Sequence, residues 1–201
     1  MKVTIIDYGA GNVPSVERAL QRLGAESERT GSAERISKAE ALLLPGVGHY
    51  AALVRALDTQ NMRASLVDAI RRGVPFLGIC LGLQVLFESS SESAQLRGLE
   101  LLPGKVCALP SSVKLPHMGW NQIVANRESR LLAGIDASAY FYFAHSYAAP
   151  ASNGSTTATC FHGNSFAAVV EKQNIVGVQF HPEKSGDPGS RLLENFLRMA
   201  A

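Results

Sequence analysis

Cysteine is scarce in this chain, with three among 201 residues. An odd number without regular spacing excludes a disulfide framework. Neither acidic nor basic residues predominate: the net charge is +2 and no dense lysine or arginine run occurs, so neither a nucleic-acid stripe nor a basic membrane-surface helix is expected. No apolar run approaches the ~20 residues that span a bilayer. The N-terminus opens into a strand without a secretory-signal pattern, and neither internal repeats nor a long linker occur. These absences predict a cytoplasmic protein of one domain, residues 1–201, with neither nucleic acid nor membrane as partner. The remaining composition, 46% hydrophobic and 18% charged, supplies a full globular core.

The first half alternates strand and helix signals. Val3-Thr4-Ile5-Ile6 reads as a buried strand running into the glycine-rich turn Asp7-Tyr8-Gly9-Ala10-Gly11-Asn12, with Asn12 as a candidate cap. Val16, Ala19, Leu20 and Leu23 then recur on one helical face, and Gly24 stands where a left-handed cap belongs. Gly9-x-Gly11 lacks the third glycine of a dinucleotide fingerprint, Pro14 taking its place. Ala41-Leu42-Leu43-Leu44 is a second buried strand. A helix carrying Leu53, Val54 and Leu57 follows, then another over Met62 to Arg72, stopped by Gly73. This alternation predicts a doubly wound, mainly parallel sheet, whose ligands sit beyond the carboxyl ends of its strands.

From the Ser-rich patch Glu88 to Ser93 onward the pattern becomes short strand-like runs with turn signals, which predicts an antiparallel portion. The runs are Lys105 to Leu109, Gln122 to Ala125, Tyr140 to Tyr147 and Thr156 to Phe161, followed by a hairpin of Phe166 to Lys172 and Ile175 to Phe180. A closing helix has Asp187 as its cap and Leu192, Leu193, Phe196 and Leu197 as its apolar face. Cys107 and Cys160 lie in apolar runs and read as buried and inert.

Three segments carry chemistry. Gly78-Ile79-Cys80-Leu81-Gly82-Leu83-Gln84 reads as strand, sharp turn and helix, placing Cys80 on an elbow beside helix N–H groups; it is either an activated nucleophile or one more buried cysteine. Pro45-Gly46-Val47-Gly48 is either a plain turn or a loop that aims backbone amides at an oxyanion. In Gln179-Phe180-His181-Pro182-Glu183-Lys184 the proline favours extended backbone at His181, which sets His181 and Glu183 on one face, as a base with its orienting carboxylate or as a surface ion pair. Together the three supply the parts of cysteine-based acyl transfer.

These segments resemble the signatures of the class I (triad) glutamine amidotransferases. Ile6 to Asn12, Pro45 to Gly48, Pro116-His117-Met118-Gly119-Trp120-Asn121 and Phe141 to Tyr147 resemble one branch, the glutaminase subunits of imidazole glycerol phosphate synthase in histidine biosynthesis. The resemblance implies a flavodoxin-like α/β fold: a mixed, mostly parallel central sheet flanked by helices, with an antiparallel C-terminal portion. It implies Cys80, His181 and Glu183 as catalytic triad, with glutamine hydrolysed through a thioester. Leu81 and the Gly46-Val47-Gly48 loop would hold the oxyanion, the loop after a peptide rearrangement, and Gln84, Glu92, His145, Ser146 and Tyr147 would line the glutamine pocket. No cofactor and no metal are implied. A separate (βα)8-barrel cyclase subunit would form a heterodimer with the chain and receive the ammonia, with Trp120, Tyr142 and Lys184 at the interface. Taken alone, Gln84 reads equally as an exposed helix residue, His145 and Trp120 as core, and Lys184 as a solvated charge. A silent scaffold, a small cysteine peptidase and the glutaminase of another synthase, such as pyridoxal phosphate synthase, are the competing readings.

Overall fold

The computed structural model describes residues 1–152 and 154–201. In the first half β1 (Lys2–Ile6), α1 (Val13–Arg22), β2 (Glu26–Thr30), α2 (Ala33–Ser37), β3 (Ala41–Gly46), α3 (Tyr50–Thr59), α4 (Met62–Arg71) and β4 (Phe76–Cys80) alternate. All of β3 and β4, and β1 from Val3 onward, are buried. Continuous apolar runs of this kind belong to strands covered on both faces. They pair in parallel, β1 lying between β2 and β3, and β3 beside β4. The polar β2, Glu-Ser-Glu-Arg-Thr, and the short α2 carry no apolar periodicity and are invisible to pattern reading. At the sheet margin β2 buries only Thr30 and needs no hydrophobic face.

The second half adds α5 (Leu81–Gln84), β5 (Ser89–Ser90), β6 (Lys105–Ala108), β7 (His117–Gln122), β8 (Val124–Ala125), β9 (Tyr140–His145), β10 (Tyr147–Ala148), β11 (Thr156–His162), β12 (Asn164–Lys172), β13 (Ile175–Val178) and α6 (Gly186–Ala200). The central sheet runs β2-β1-β3-β4-β13-β12-β11-β8. β13 joins β4 in parallel, while β12, β11 and β8 continue antiparallel. The fold is thus α/β with a mixed, mainly parallel central sheet and antiparallel C-terminal strands. β7 and β9 form a separate antiparallel ribbon, and β10-β6-β5 a small third sheet.

Register builds the site. Gly46 lies opposite Cys80 across β3 and β4, and Val178 opposite Ile79 across β13 and β4. The loop after β3, the elbow after β4 and the segment after β13 therefore leave the sheet at one end. Two glycines permit the elbow: a Cβ on Gly82 would sit 2.0 Å from the Leu44 carbonyl oxygen, and one on Gly78 2.5 Å from that of Gly82.

Several local expectations change. The helix after Cys80 ends at Gln84, so Leu86 and Phe87 pack from a turn and the helix dipole there is that of a single turn. Asn12 precedes α1 without capping it, its amide being bound elsewhere, and Asp187 falls inside the first turn of α6, whose N-cap is Ser185. His181 is extended, but Pro182–Lys184 form a 3₁₀ turn, and this turn brings Glu183 back to the imidazole. Trp120 lies on β7, where Gly119 and Trp120 pair with Phe143 and Tyr142 of β9. Cys160 is buried but Cys107 is exposed on the short β6.

Candidate active site

Cys80 ends β4 at φ 54° and ψ −107°. A positive φ on a residue with a Cβ costs ~1–3 kcal/mol and marks a strained turn held by its surroundings. It turns the side chain into a cavity of about 300 Å³. Val47, Gly48, Cys80, Leu81, Gln84, Glu92, His145, Ser146, Tyr147, His181 and Lys184 line the cavity, together with Pro116 and Ala144. Of the residues proposed for substrate contact, Gly46 alone lies behind the wall, where a Cβ would stand 2.6 Å from the Gly82 nitrogen. Glu183 also stands back from the cavity, behind His181.

The imidazole of His181 is held by both its neighbours. Its Nδ1 lies 2.9 Å from Glu183 Oε1, with both side chains almost wholly buried, which leaves Nε2 for Cys80. Burial pulls the His181 pKa down, but hydrogen bonds to Cys80 and Glu183 and the charges of both outweigh it and raise it to about 10. Glu183 Oε1 also accepts from Asn12 Nδ2 at 3.2 Å, and Ser185 Oγ donates to the His181 carbonyl at 2.7 Å. The amide that fails to cap α1 thus braces the His–Glu pair from across the fold.

The backbone amides near the sulfur differ in readiness. The Leu81 N–H opens α5, where no intrahelical partner exists for it. The Val47 N–H instead donates to Tyr8 Oη at 3.3 Å, and that hydroxyl also lies 3.3 Å from the Val47 carbonyl oxygen as donor. Among the described residues the Leu81 amide has no partner and can meet an oxyanion, and the Val47 amide is turned toward Tyr8.

On the far wall, Gln84 is buried and donates through Nε2 to the Tyr147 carbonyl at 2.7 Å and to Gln179 Oε1 at 3.1 Å. Gln179 in turn donates to Cys80 Sγ at 3.6 Å. His145 is buried and bonded through Nδ1 to the Tyr147 carbonyl at 2.9 Å. Glu92 accepts from the Tyr50 amide at 2.8 Å, at the start of α3. Trp120 and Tyr142 do not reach the cavity. They are paired across β7 and β9 with rings 6.0 Å apart, and Lys184 Nζ lies 5.6 Å from the Tyr142 ring centre. Trp120 is 56% exposed, so the core alternative for it falls. Sequence patterning offers no role for Tyr8 or Gln179. A glutamine inside the apolar run Val176 to Phe180 is the one available signal, since a buried polar group requires a partner.

The chain is similar to known proteins over nearly its whole length. The glutamine amidotransferase class-I family matches residues 4–200. The chain is 46% identical to imidazole glycerol phosphate synthase subunit HisH of Moorella thermoacetica over 96% of its own length and 93% of the relative's. It is 44% identical to the subunit of the same name from Methanothermobacter thermautotrophicus over 98% of both chains. The Aquifex aeolicus counterpart is 43% identical over 100% of this chain and 98% of its own. Among solved structures, a glutamine amidotransferase superimposes with a TM-score of 0.79 at 19% identity, covering 98% of each chain. PurLQS from Thermotoga maritima gives 0.77 at 20% identity over 98% of this chain and 97% of that one, a likeness of fold alone.

Proposed function

The chain belongs to the class I glutamine amidotransferase family, and from that premise we propose that it is the glutaminase subunit of an imidazole glycerol phosphate synthase. In this role it hydrolyses glutamine and passes the ammonia to a (βα)8-barrel cyclase in histidine biosynthesis. The observation that carries the reading is the convergence of Cys80, His181 and the Val47-Gly48 loop on one cavity.

Cys80 Sγ attacks the carboxamide carbon of glutamine, with its proton on His181 Nε2. The carbonyl oxygen becomes an oxyanion, met by the Leu81 N–H and, once the Val47 peptide turns, by that amide as well. His181 gives its proton to the departing nitrogen, the C–N bond breaks, and ammonia and a glutamyl thioester result. Water attacks the thioester, His181 takes the water proton and returns it to sulfur, and glutamate leaves. Glu183 fixes the imidazole tautomer through Oε1 and stabilises the imidazolium. Gln84, Glu92, His145, Ser146 and Tyr147 shape the glutamine pocket.

Ammonia in water at neutral pH is mostly ammonium and not a nucleophile, which gives a physical reason for transfer through a covered route to a second active site. The exposed Trp120 and Lys184 with the half-buried Tyr142 between them offer an aromatic, cationic docking surface for the cyclase. The test is glutamate release by the chain alone and with the cyclase carrying its phosphorylated ribonucleotide. Release that rises in the complex supports both reaction and partner; release unchanged by the cyclase removes the partner assignment.

A further inference from the structure

Buried polar groups behind the cavity form a network whose hydrogen bonds have only one consistent direction. The Tyr147 carbonyl is an acceptor and nothing else. His145 Nδ1, 2.9 Å away, therefore carries the ring proton, and in the neutral ring Nε2 must accept. His117 Nδ1 lies 3.0 Å from that Nε2 and must donate. His117 Nε2, left as an acceptor, faces Asn121 Nδ2 at 3.2 Å. Asn121 is fixed independently: its amide also donates to the Phe161 carbonyl at 3.2 Å, and its Oδ1 accepts the Gln122 N–H at 2.9 Å. Burial keeps both rings neutral, lowering His117 to about 4 and His145 to about 3.

A second arm reaches the same carbonyl. Gln84 Nε2 spends one hydrogen on Tyr147 at 2.7 Å and the other on Gln179 Oε1 at 3.1 Å. With its oxygen so occupied, the Gln179 amide can present only Nε2 to Cys80 Sγ, 3.6 Å away. The reversed amide would place oxygen lone pairs against the sulfur and leave two donors facing each other. Gln179 is fully buried, so no water competes for either end.

We propose that Gln179 is a further catalytic residue, donating a hydrogen bond to the Cys80 sulfur. Gln84 and the Tyr147 carbonyl are the positioning groups that hold its amide in the donating orientation. The bond supports the sulfur while the proton resides on His181. It also ties the nucleophile to β7, the strand that displays Trp120. With both its hydrogens committed, Gln84 has only its carbonyl oxygen to offer a ligand.

The proposal rests on the reading of Cys80 as nucleophile, but its test is made on the sulfur and needs neither glutamine nor a partner. The full chain is treated with iodoacetamide across a pH series, and Cys80 modification is followed by peptide mass spectrometry, with the exposed Cys107 as internal reference. Gln179→Met keeps the volume and removes the donor. It slows Cys80 alkylation at pH 7 by about tenfold, the scale of a hydrogen bond to a charged group, with recovery at alkaline pH and no change at Cys107. Gln84→Met releases the Gln179 amide and moves the same profile in the same direction by less. A wild-type profile in a folded Gln179→Met variant overturns the proposal. If that variant does not fold, Gln84→Met decides: a shifted profile supports the proposal and a wild-type profile overturns it.

Discussion

Replacing Tyr8 by Phe tests the state of the Val47 peptide. The hydroxyl receives the Val47 N–H and gives its own proton to the Val47 carbonyl, each at 3.3 Å, so both polar groups of one residue are tied to a single phenol oxygen. The substitution removes that oxygen alone; the ring, 4% exposed, stays packed and no large cavity opens. Each bond is at the long end of the normal range, so we assign the pair about 1 kcal/mol. Without the hydroxyl, an inward Val47 N–H gains relative to the outward one by that amount. Roughly fivefold more of the chain then presents a second oxyanion donor. Glutamate release by the isolated Tyr8→Phe chain rises by about that factor, while the rate in a complex that has already turned the peptide changes little. A basal rate equal to or below wild type refutes the reasoning and makes the Tyr8 contact a support of the active loop instead of a restraint on it.

Asn12→Ala removes the second hydrogen bond to Glu183 Oε1, and glutamate release falls about two- to tenfold. Because Asn12 makes no capping bond, the thermal midpoint moves little, and a large fall would make it a structural residue. The buried histidines predict acid sensitivity. With folded pKa values of about 4 for His117 and about 3 for His145 against 6.5 when unfolded, the unfolded chain binds more protons as pH drops below 6.5. Stability is lost toward those lower values, about 2 kcal/mol per ring by pH 5. Urea unfolding at pH 7 and pH 5 reads this, and His117→Asn weakens the dependence. Trp120→Ala costs the isolated chain under ~1 kcal/mol, since the ring is largely exposed, but lowers cyclase affinity by ~2 kcal/mol or more as an interface anchor. Calorimetric unfolding and titration with the cyclase separate the two effects.

The sequence makes the parallel half legible because β1, β3 and β4 are buried on both faces and so spell continuous apolar runs. The elbow is legible because close packing demands a glycine on each side of Cys80, Gly82 against the Leu44 carbonyl and Gly78 against that of Gly82. β2 escapes notice because an edge strand needs no hydrophobic face, and β7 because His117 is its one buried residue. Cys107 misleads for a related reason: β6 belongs to a narrow side sheet with one face open. The His181–Glu183 pairing is foreseeable from spacing, yet its route through a 3₁₀ turn is not. The bracing of Glu183 by Asn12 spans 171 residues of chain and leaves no local trace. The direction of the Gln84–Gln179 amides is set by the Tyr147 carbonyl, whose position only the folded chain defines.

In the proposed mechanism Cys80 opens glutamine through a thioester. Its most direct test is rapid acid quenching of the chain turning over labelled glutamine in the presence of the cyclase and its nucleotide, followed by peptide mapping. A glutamyl adduct is expected on the peptide that contains Cys80, and neither adduct nor glutamate from a folded Cys80→Ala chain. Glutamate formed by Cys80→Ala at the wild-type rate would contradict it.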